Sequence, residues 1–295
     1  MQHSPCSRTS WKWRSGISAV TGSDAREAPI GRSNDTYPTI SWATLDYYGR
    51  WKGAHYVVKR SYGRVISYVE TGADRVARLY VSSDETRPLK LTCRLELIEQ
   101  GKGVLHTECR EISAEPLAST CVAAFKIPEM KELRSRECYL HYEIQCEEEV
   151  IDSGNRLLER PKKFHFLDPH LTVCVEEHER TGEGKVSEGR VEIGGTTEGR
   201  ISEIGTEEKT DDKTGGVRKL TEKQFRITVK AQQFARRVAI EFTGTDVILS
   251  DNYFDLLPGE SKTVWVEEIR SEKEVNQKTL SEEIVLTSNY DVAKW

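Results

Sequence analysis

The sequence predicts a mostly β protein that contains two immunoglobulin-like β-sandwich domains in tandem. Three observations lead to this prediction. Residues 61–167 hold about seven short apolar segments separated by turns, a pattern typical of a sandwich of ~100 residues. Similar segments continue after residue 168. The length of 295 residues suits two domains, because domains usually contain roughly 100–200 residues.

The clearest strand pattern of the first predicted domain, residues 61–167, lies at 89–97. Every second residue there is leucine or cysteine, and the residues between them are polar or charged. This alternation puts the apolar side chains on one face, so it predicts a strand with one buried side. Further strands are predicted at 65–69, 76–81, 104–109, 117–127, 138–146 and 157–166.

The second predicted domain covers residues 168–295. A polar stretch at about 176–219 is rich in Gly, Glu, Thr and Lys and poor in large apolar residues, which predicts a long insertion between strands. Pro258-Gly259 predicts a turn before a strand. The predicted strands of this domain are 171–175, 225–229, 238–242, 262–266 and 283–287.

The residues before the first sandwich divide into two parts. Residues 1–33 form a polar leader rich in Ser and Arg that matches neither sandwich. Residues 34–60 are rich in aromatic side chains. Their apolar positions predict a helix at about 51–60, because they recur at the spacing that brings side chains onto one helical face. These positions are Trp51, Ala54, His55 and Val58.

Composition limits the classes of partner. The 43 basic and 48 acidic residues are interspersed and leave a net charge of −5, so we expect no nucleic-acid and no membrane partner. No apolar run approaches the ~20 residues of a membrane span, and no secretion signal is visible near the N-terminus. We therefore expect a cytoplasmic protein, with its cysteines reduced and used as core residues.

Motifs of known catalytic and cofactor sites are missing from the sequence. It contains no Walker loop, GxGxxG, HExxH or GxSxG pattern, and its seven histidines form no close motif-like pair. The seven cysteines include no CxxC, so no zinc-type metal site is expected. We expect no cofactor and assign no catalytic residue.

Two segments nevertheless resemble one enzyme family. The first contains Asn34-Asp35, Pro38 and Ser41-Trp42, followed by the run at 46–52 and by His55-Tyr56. In this order and spacing it is similar to the end of the catalytic barrel in glycoside hydrolase family 2 β-mannosidases. The second segment, residues 250–260, resembles the C-terminal immunoglobulin-like domain of the same enzymes. The chain is therefore expected to be the C-terminal portion of such a protein.

The resemblance implies a fold and an activity. Residues 34–60 would be the last strand and helix of a (β/α)8 barrel, and the parent enzyme would hydrolyse terminal non-reducing β-D-mannose residues with retention. The family carries its acid/base and nucleophile glutamates on earlier barrel strands. Glu27 is the only glutamate in residues 1–60, and its surroundings have no family likeness. We therefore expect the chain to be inactive alone. Its expected ligand, if the barrel is supplied, is a β-mannoside or a related oligosaccharide.

The resemblance also implies candidate site residues. Asn34, Asp35 and Tyr37 would lie at the rim of the barrel where substrate binds, so they are the candidates for sugar contact; the open alternative is that they cap and pack the last barrel strand. A possible rim loop consists of Asp251, Asn252 and Tyr253, and the alternative is that this loop only caps its own sandwich. The predicted packing aromatics of the barrel-sandwich contact are Trp42, Trp51 and Tyr56.

Two other functional readings remain open. The chain could be a non-catalytic carbohydrate-binding or interaction module, which would require exposed aromatic side chains on a sheet face. The residues that would carry this role are Tyr80, Tyr139, Tyr142 and Trp265. The chain could also lack an independent function, as a truncated gene product. An exposed apolar patch around residues 42–56 would favour that reading.

Overall fold

A computed structural model describes residues 10–14, 17–21, 33–38, 41–127, 135–179, 223–271 and 274–293. Most of the polar leader and nearly all of the predicted insertion at 176–219 lie outside the described residues. Within the leader, strands β1 (Ser10–Arg14) and β2 (Ile17–Thr21) pair as an antiparallel hairpin. Helix α1 (Gly53–Ser61) follows, close to the predicted position.

Among its described residues, the first sandwich contains seven strands in two antiparallel sheets. One sheet has the order β3-β4-β7, and the other has the order β6-β5-β8-β9. The strands are β3 (Val65–Thr71), β4 (Val76–Ser83), β5 (Leu89–Glu99), β6 (Gly103–Ala114), β7 (Ala118–Lys126), β8 (Cys138–Cys146) and β9 (Glu149–Leu157).

The core of the first sandwich follows the alternation that the sequence shows. Along β5, Leu91, Cys93 and Leu95 are buried while Thr92 and Arg94 are exposed. Burial raises the pKa of the Cys93 thiol to about 12. A thiol in this environment acts as a small hydrophobic group.

The second sandwich also consists of two antiparallel sheets, with the orders β10-β11-β15-β13 and β14-β12-β16. Its strands are β10 (Thr172–Glu179), β11 (Lys223–Lys230), β12 (Ala235–Phe242), β13 (Asp246–Leu249), β14 (Phe254–Leu256), β15 (Ser261–Arg270) and β16 (Ile284–Thr287). Helices α2 (Gln277–Glu283) and α3 (Asn289–Ala293) flank β16. The predicted fold class, mostly β with two sandwiches after a short helix, is confirmed.

Two details of the prediction need correction. Residues 157–166 do not form a strand: β9 ends at Leu157, and a short 3-10 helix occupies Pro161–Lys163. Pro161 has no backbone N–H to donate to a sheet, which favours the end of pairing there. Residues 176–179, predicted as the start of the insertion, continue β10 because they pair with β11 as far as Lys223.

The expectation that the cysteines are core residues holds only in part. Cys93 and Cys138 are buried, but Cys109, Cys121 and Cys174 are exposed. The exposed three lie on strands, where successive side chains point to opposite faces. A position on a strand therefore did not predict whether a cysteine side chain is buried.

A separate apolar cluster joins the two sandwiches. Tyr139 of β8 and Phe234, which precedes β12, stack with ring centroids 4.0 Å apart and an interplanar angle of 15°. Both side chains are almost completely buried. Ile98, Leu157 and Phe164 of the first sandwich complete the cluster. The sandwiches thus share a small hydrophobic core in addition to their own cores.

Candidate functional site

The candidate site consists of residues 33–38 and 41–61 together with residues 250–253, and we call it the joint. Its first part is an irregular segment held by backbone contacts around Leu45. Leu45 forms a parallel bridge with Asn34 and an antiparallel bridge with Trp51. The Leu45 N–H donates to the Ser33 carbonyl at 2.8 Å, and the Thr44 hydroxyl donates to the same oxygen at 3.0 Å. These contacts hold residues 33–34, 44–45 and 51 close together just before α1 begins.

Asp35 is buried inside this segment. Its side chain has an exposed fraction of 0%, and the Lys52 ammonium group donates to Oδ2 at 2.8 Å. The Ser41 hydroxyl donates to Oδ1. A buried carboxylate needs such partners, because an unpaired charge away from water is strongly unfavourable. The described contacts of Asp35 therefore favour a structural role, while sugar contact by this residue remains a prediction.

We expect the Lys52→Met substitution to destabilise residues 33–52 by about 2 kcal/mol. It leaves the Asp35 carboxylate buried without its cation, and we discount the larger effect of fully buried pairs because Lys52 is partly exposed. Hydrogen exchange at the Leu45 amide is the measurement. The double variant D35N/K52M is the control, since it removes both charges and should recover part of the loss. Equal exchange in wild type and K52M would contradict the structural role.

A tight turn follows at residues 46–50. The Asp46 carboxylate accepts from the backbone N–H groups of Tyr48 and Arg50, each at 2.9 Å, and from the Arg50 side chain at 2.6 Å. Burial alone would raise the pKa of Asp46, but the hydrogen bonds from Arg50 and Tyr48 lower it. Gly49 has φ +76°, and the Arg270 guanidinium lies against it and donates to the Tyr48 carbonyl at 3.0 Å. The turn is thereby fastened to β15.

The aromatic side chains of the joint divide into two groups. Trp51 and Tyr56 pack against each other with ring centroids 5.3 Å apart, and Tyr56 contacts Tyr253 of the second sandwich. Trp42 is 81% exposed, whereas its neighbours Ala43 and Thr44 are buried. The packing of Trp42 at a barrel-sandwich contact therefore stays a prediction. Large exposed side chains elsewhere in this segment are Tyr37, Tyr47 and Tyr48.

Helix α1 is anchored to the second sandwich through its last turn. Arg60 donates to the Asp251 carboxylate, to the Asn252 carbonyl at 2.9 Å and to the Tyr253 carbonyl at 3.1 Å. Lys59 donates to the Ser250 carbonyl at 2.9 Å. Basic residues are favourable at the C-terminal end of a helix, where the backbone carbonyls carry partial negative charge. The predicted rim loop, residues 251–253, thus accepts the hydrogen bonds that attach α1 to the second sandwich.

Asn252 links this loop to the core of the second sandwich. Its side-chain amide donates to the Ile240 carbonyl at 2.8 Å, and its Oδ1 accepts from the Ile240 N–H at 2.9 Å. The side chain therefore replaces a neighbouring strand for both backbone groups of Ile240. Asp251 holds a second cation, because Lys262 donates to it at 2.6 Å. Tyr253 adopts φ +55°, a left-handed conformation that turns the chain into β14.

The geometry of the joint favours a structural role of its side chains over acid–base chemistry. Asp35, Asp46 and Asp251 each bind at least one basic side chain. Burial lowers the pKa of His55, the Lys59 charge lowers it further, and the ring nitrogen Nδ1 lies 3.2 Å from the Thr44 hydroxyl. Across the described part of the chain, no group of three or more His, Cys, Asp or Glu side chains could hold a metal ion.

The two segments with family motifs lie next to each other in the structure, but the motifs did not point to two of the residues that hold them. Asn34 and Tyr37 lie at the exposed side of the joint, whereas Asp35 lies inside it. Asp251, Asn252 and Tyr253 contact α1 or their own sandwich through the contacts described above. The missed residues are Lys52 and Arg60. Lys52 belongs to the motif, but the motif does not reveal that its partner is Asp35, 17 residues earlier. Arg60 follows the motif, and its partner Asp251 is 191 residues away.

The four aromatic residues of the alternative binding-module hypothesis differ in their exposure to solvent. Tyr139 and Tyr142 are buried, so neither offers a surface for a ligand, which corrects that part of the prediction. Tyr80 is half-buried and stacks on Tyr68 with ring centroids 4.9 Å apart. Trp265 remains 36% exposed. No helix among the described residues is long and apolar enough to span a membrane.

Comparison with known proteins finds a family model that matches each of the two sandwiches. Residues 75–163 match the family model described as a mannosidase Ig/CBM-like domain, and residues 212–292 match the mannosidase Ig-fold domain. Each of the two sandwiches therefore matches one family model of an immunoglobulin-like domain. This finding confirms the predicted resemblance to the C-terminal portion of glycoside hydrolase family 2 β-mannosidases.

Individual relatives agree with this family relationship. The β-mannosidase of Rattus norvegicus is 30% identical over 139 residues, which are 45% of this chain and 15% of the rat protein. The β-D-mannosidase structure from Dictyoglomus thermophilum has a TM-score of 0.54 at 14% identity and covers 87% of this chain and 25% of that one. The exo-chitosanase from Amycolatopsis orientalis gives 0.51 at 11% identity, with coverages of 87% and 29%. These two similarities concern the fold, and the chain spans a minor part of each relative.

Proposed function

We propose that this chain is the C-terminal part of a β-mannosidase-like retaining exoglycosidase, in which the two sandwiches support the catalytic domain. The observation that carries the proposal is that the joint is fastened to the second sandwich and still exposes several aromatic side chains. The attachment runs through Arg60, Lys59 and Arg270. The side chains of Tyr37, Trp42 and Tyr48 are 59%, 81% and 60% exposed.

Exposed aromatic side chains in one short segment favour contact with another protein surface, because isolated soluble surfaces rarely cluster such residues. By analogy with the family that the chain resembles, we assign that surface to the remaining strands and helices of a catalytic barrel. In this arrangement the joint fixes the orientation of the barrel relative to the sandwiches. The hydrogen bonds of Arg60 then act as a rigid connection between the two parts.

Catalysis would reside outside the joint. Retaining glycosidases require two carboxyl groups about 5–5.5 Å apart on either side of the scissile bond. Residues 33–61 contain no glutamate, and each of their two aspartates holds a basic side chain. The proposal therefore assigns the joint a supporting role and leaves bond cleavage to a barrel.

We expect the purified chain to release no 4-nitrophenol from 4-nitrophenyl β-D-mannoside above the rate of a buffer control, because two converging glutamates are required. Robust hydrolysis would contradict the expected inactivity. Sequencing of the transcript upstream of Met1 tests the family assignment separately. An in-frame barrel with two catalytic glutamates supports the proposal, whereas an unrelated upstream region would contradict it.

The alternative function is carbohydrate binding without catalysis, and the surroundings of Trp265 are the observation that favours it. The Trp265 ring meets His178 edge-on at 5.7 Å, and the Arg226 guanidinium lies 6.0 Å from its centroid. An exposed indole flanked by polar groups can stack on a sugar ring. Binding of a manno-oligosaccharide that disappears in W265A would favour this function over the scaffold.

A further inference from the structure

A cavity of about 740 Å³ opens between the two sandwiches, away from the joint. The first sandwich contributes the turn between β3 and β4 and the chain around the end of β9, and the second contributes the start of β12. The described lining holds a single acidic residue, Glu159. Its basic residues are five arginines: Arg75, Arg156, Arg160, Arg236 and Arg237. The volume falls within the range of roughly 300–1,000 Å³ found for small-molecule sites.

A β-bulge brings two consecutive arginines to this cavity. The register between β12 and β14 shifts between Ala235 and Val238, and Arg237 adopts φ +52°. In a regular strand Arg236 and Arg237 would point to opposite faces, but a bulge re-aims one side chain. The left-handed conformation is unfavourable for arginine and is held by the Arg237 N–H, which donates to Asp255 Oδ1 at 2.9 Å.

Two of the guanidinium groups in the cavity have few hydrogen-bond partners among the described residues. Arg237 Nε is buried without a hydrogen-bond partner in the described part of the chain. Arg156 Nε donates to the Thr71 hydroxyl at 3.5 Å. Burial lowers the pKa of Arg237 and the charge of Arg236 lowers it further, although Asp255 opposes this. Because arginine stays protonated, the described lining of the cavity holds five positive charges and the single carboxylate of Glu159.

We propose that this cavity binds a small polyanion of the organic phosphate or polycarboxylate class. Planar guanidinium groups bind phosphate and carboxylate through paired hydrogen bonds, and several of them converge here from both sandwiches. The ligand would satisfy the buried Arg237 Nε and offset the repulsion among Arg156, Arg236 and Arg237. It would also bridge the two sandwiches, since Arg156 belongs to one and the other two belong to the second.

Isothermal titration of the full chain with pyrophosphate and, separately, with citrate tests this proposal at low ionic strength. We expect saturable binding of at least one probe, and the tighter probe identifies the preferred chemistry. The R236Q and R237G variants should each weaken binding by roughly tenfold or more, because each removes charge-assisted hydrogen bonds. Glycine suits the left-handed backbone at position 237 and keeps the N–H that contacts Asp255, so R237G should fold normally.

The R64Q variant is the matched control. Arg64 is exposed, pairs with Glu85 at 3.1 Å and does not line the cavity, so its loss removes one positive charge without changing the site. It should bind as the wild type does. The probe should raise the thermal midpoint of wild type and R64Q but not of R237G. Absence of saturable binding by both probes, or equal binding by wild type and R237G, would overturn the proposal.

Discussion

The Asn252→Ala substitution is expected to destabilise the second sandwich by about 3 kcal/mol. Asn252 is 5% exposed and satisfies both backbone groups of Ile240, whose own side chain is buried. Alanine leaves the Ile240 N–H and carbonyl without their partners, and each buried unsatisfied group costs about 1–3 kcal/mol. The loss should also loosen the loop that receives Arg60 of α1, because the Asn252 carbonyl is one of its acceptors.

Urea unfolding followed by far-UV circular dichroism measures this effect, and Asn276→Ala is the matched control. Asn276 caps α2 by accepting from the Thr279 N–H at 3.0 Å, but it is exposed. Loss of an exposed N-cap typically costs about 1 kcal/mol. Similar losses in N252A and N276A would show that the bonds to Ile240 contribute little.

The fold was largely predictable because strand alternation is a local property. In β5 each apolar residue of the alternating run faces the core, and the turn at Gly101 falls where the sequence has two glycines. The misplaced strand at 157–166 has a physical explanation. Leu157, Phe164 and Phe166 are apolar because they pack in the interface cluster, and a buried loop gives the same composition as a strand.

The site was less predictable because its decisive contacts join residues far apart in sequence. The family motif singled out residues 34–52 and 250–253, but it did not show that Asp35 is buried against Lys52. Nor did it show that Arg60 reaches the loop at 251–253. A motif preserves residue types without stating which of them bind substrate and which hold the chain in place. Trp42 illustrates the same point, since its side chain is 81% exposed and the motif alone does not state what would pack against it.

Both proposals concern how the two sandwiches are held relative to each other. A scaffold that supports a catalytic domain must hold its parts in a fixed orientation. A polyanion that binds both Arg156 and Arg236 would help to fix that orientation. The Asn155 amide adds a direct link, because it donates to Asp255 Oδ2 at 3.2 Å. Asp255 also holds the bulge that carries Arg237. The polar side of the interface is therefore connected to the cavity.

The apolar side of this interface yields the second large prediction. The Phe234→Ala substitution is expected to cost about 3–5 kcal/mol, because a fully buried aromatic ring is removed and a cavity remains beside Tyr139. It should also uncouple the sandwiches, since Phe234 is the fully buried contribution of the second sandwich to the shared cluster. The chain offers a direct readout, because residues 61–167 contain no tryptophan.

Tryptophan fluorescence consequently reports on the joint, the leader and the second sandwich, whereas far-UV circular dichroism reports on both sandwiches. In the wild type we expect the two unfolding curves to coincide, and in F234A we expect them to separate. Phe225→Ala is the control: Phe225 is 0% exposed in the core of the second sandwich, so its loss should lower stability by a similar amount. The two curves should shift together in F225A, because the shared cluster remains intact. Coincident curves in F234A would mean that the polar contacts at Asp255 are sufficient to couple the two sandwiches.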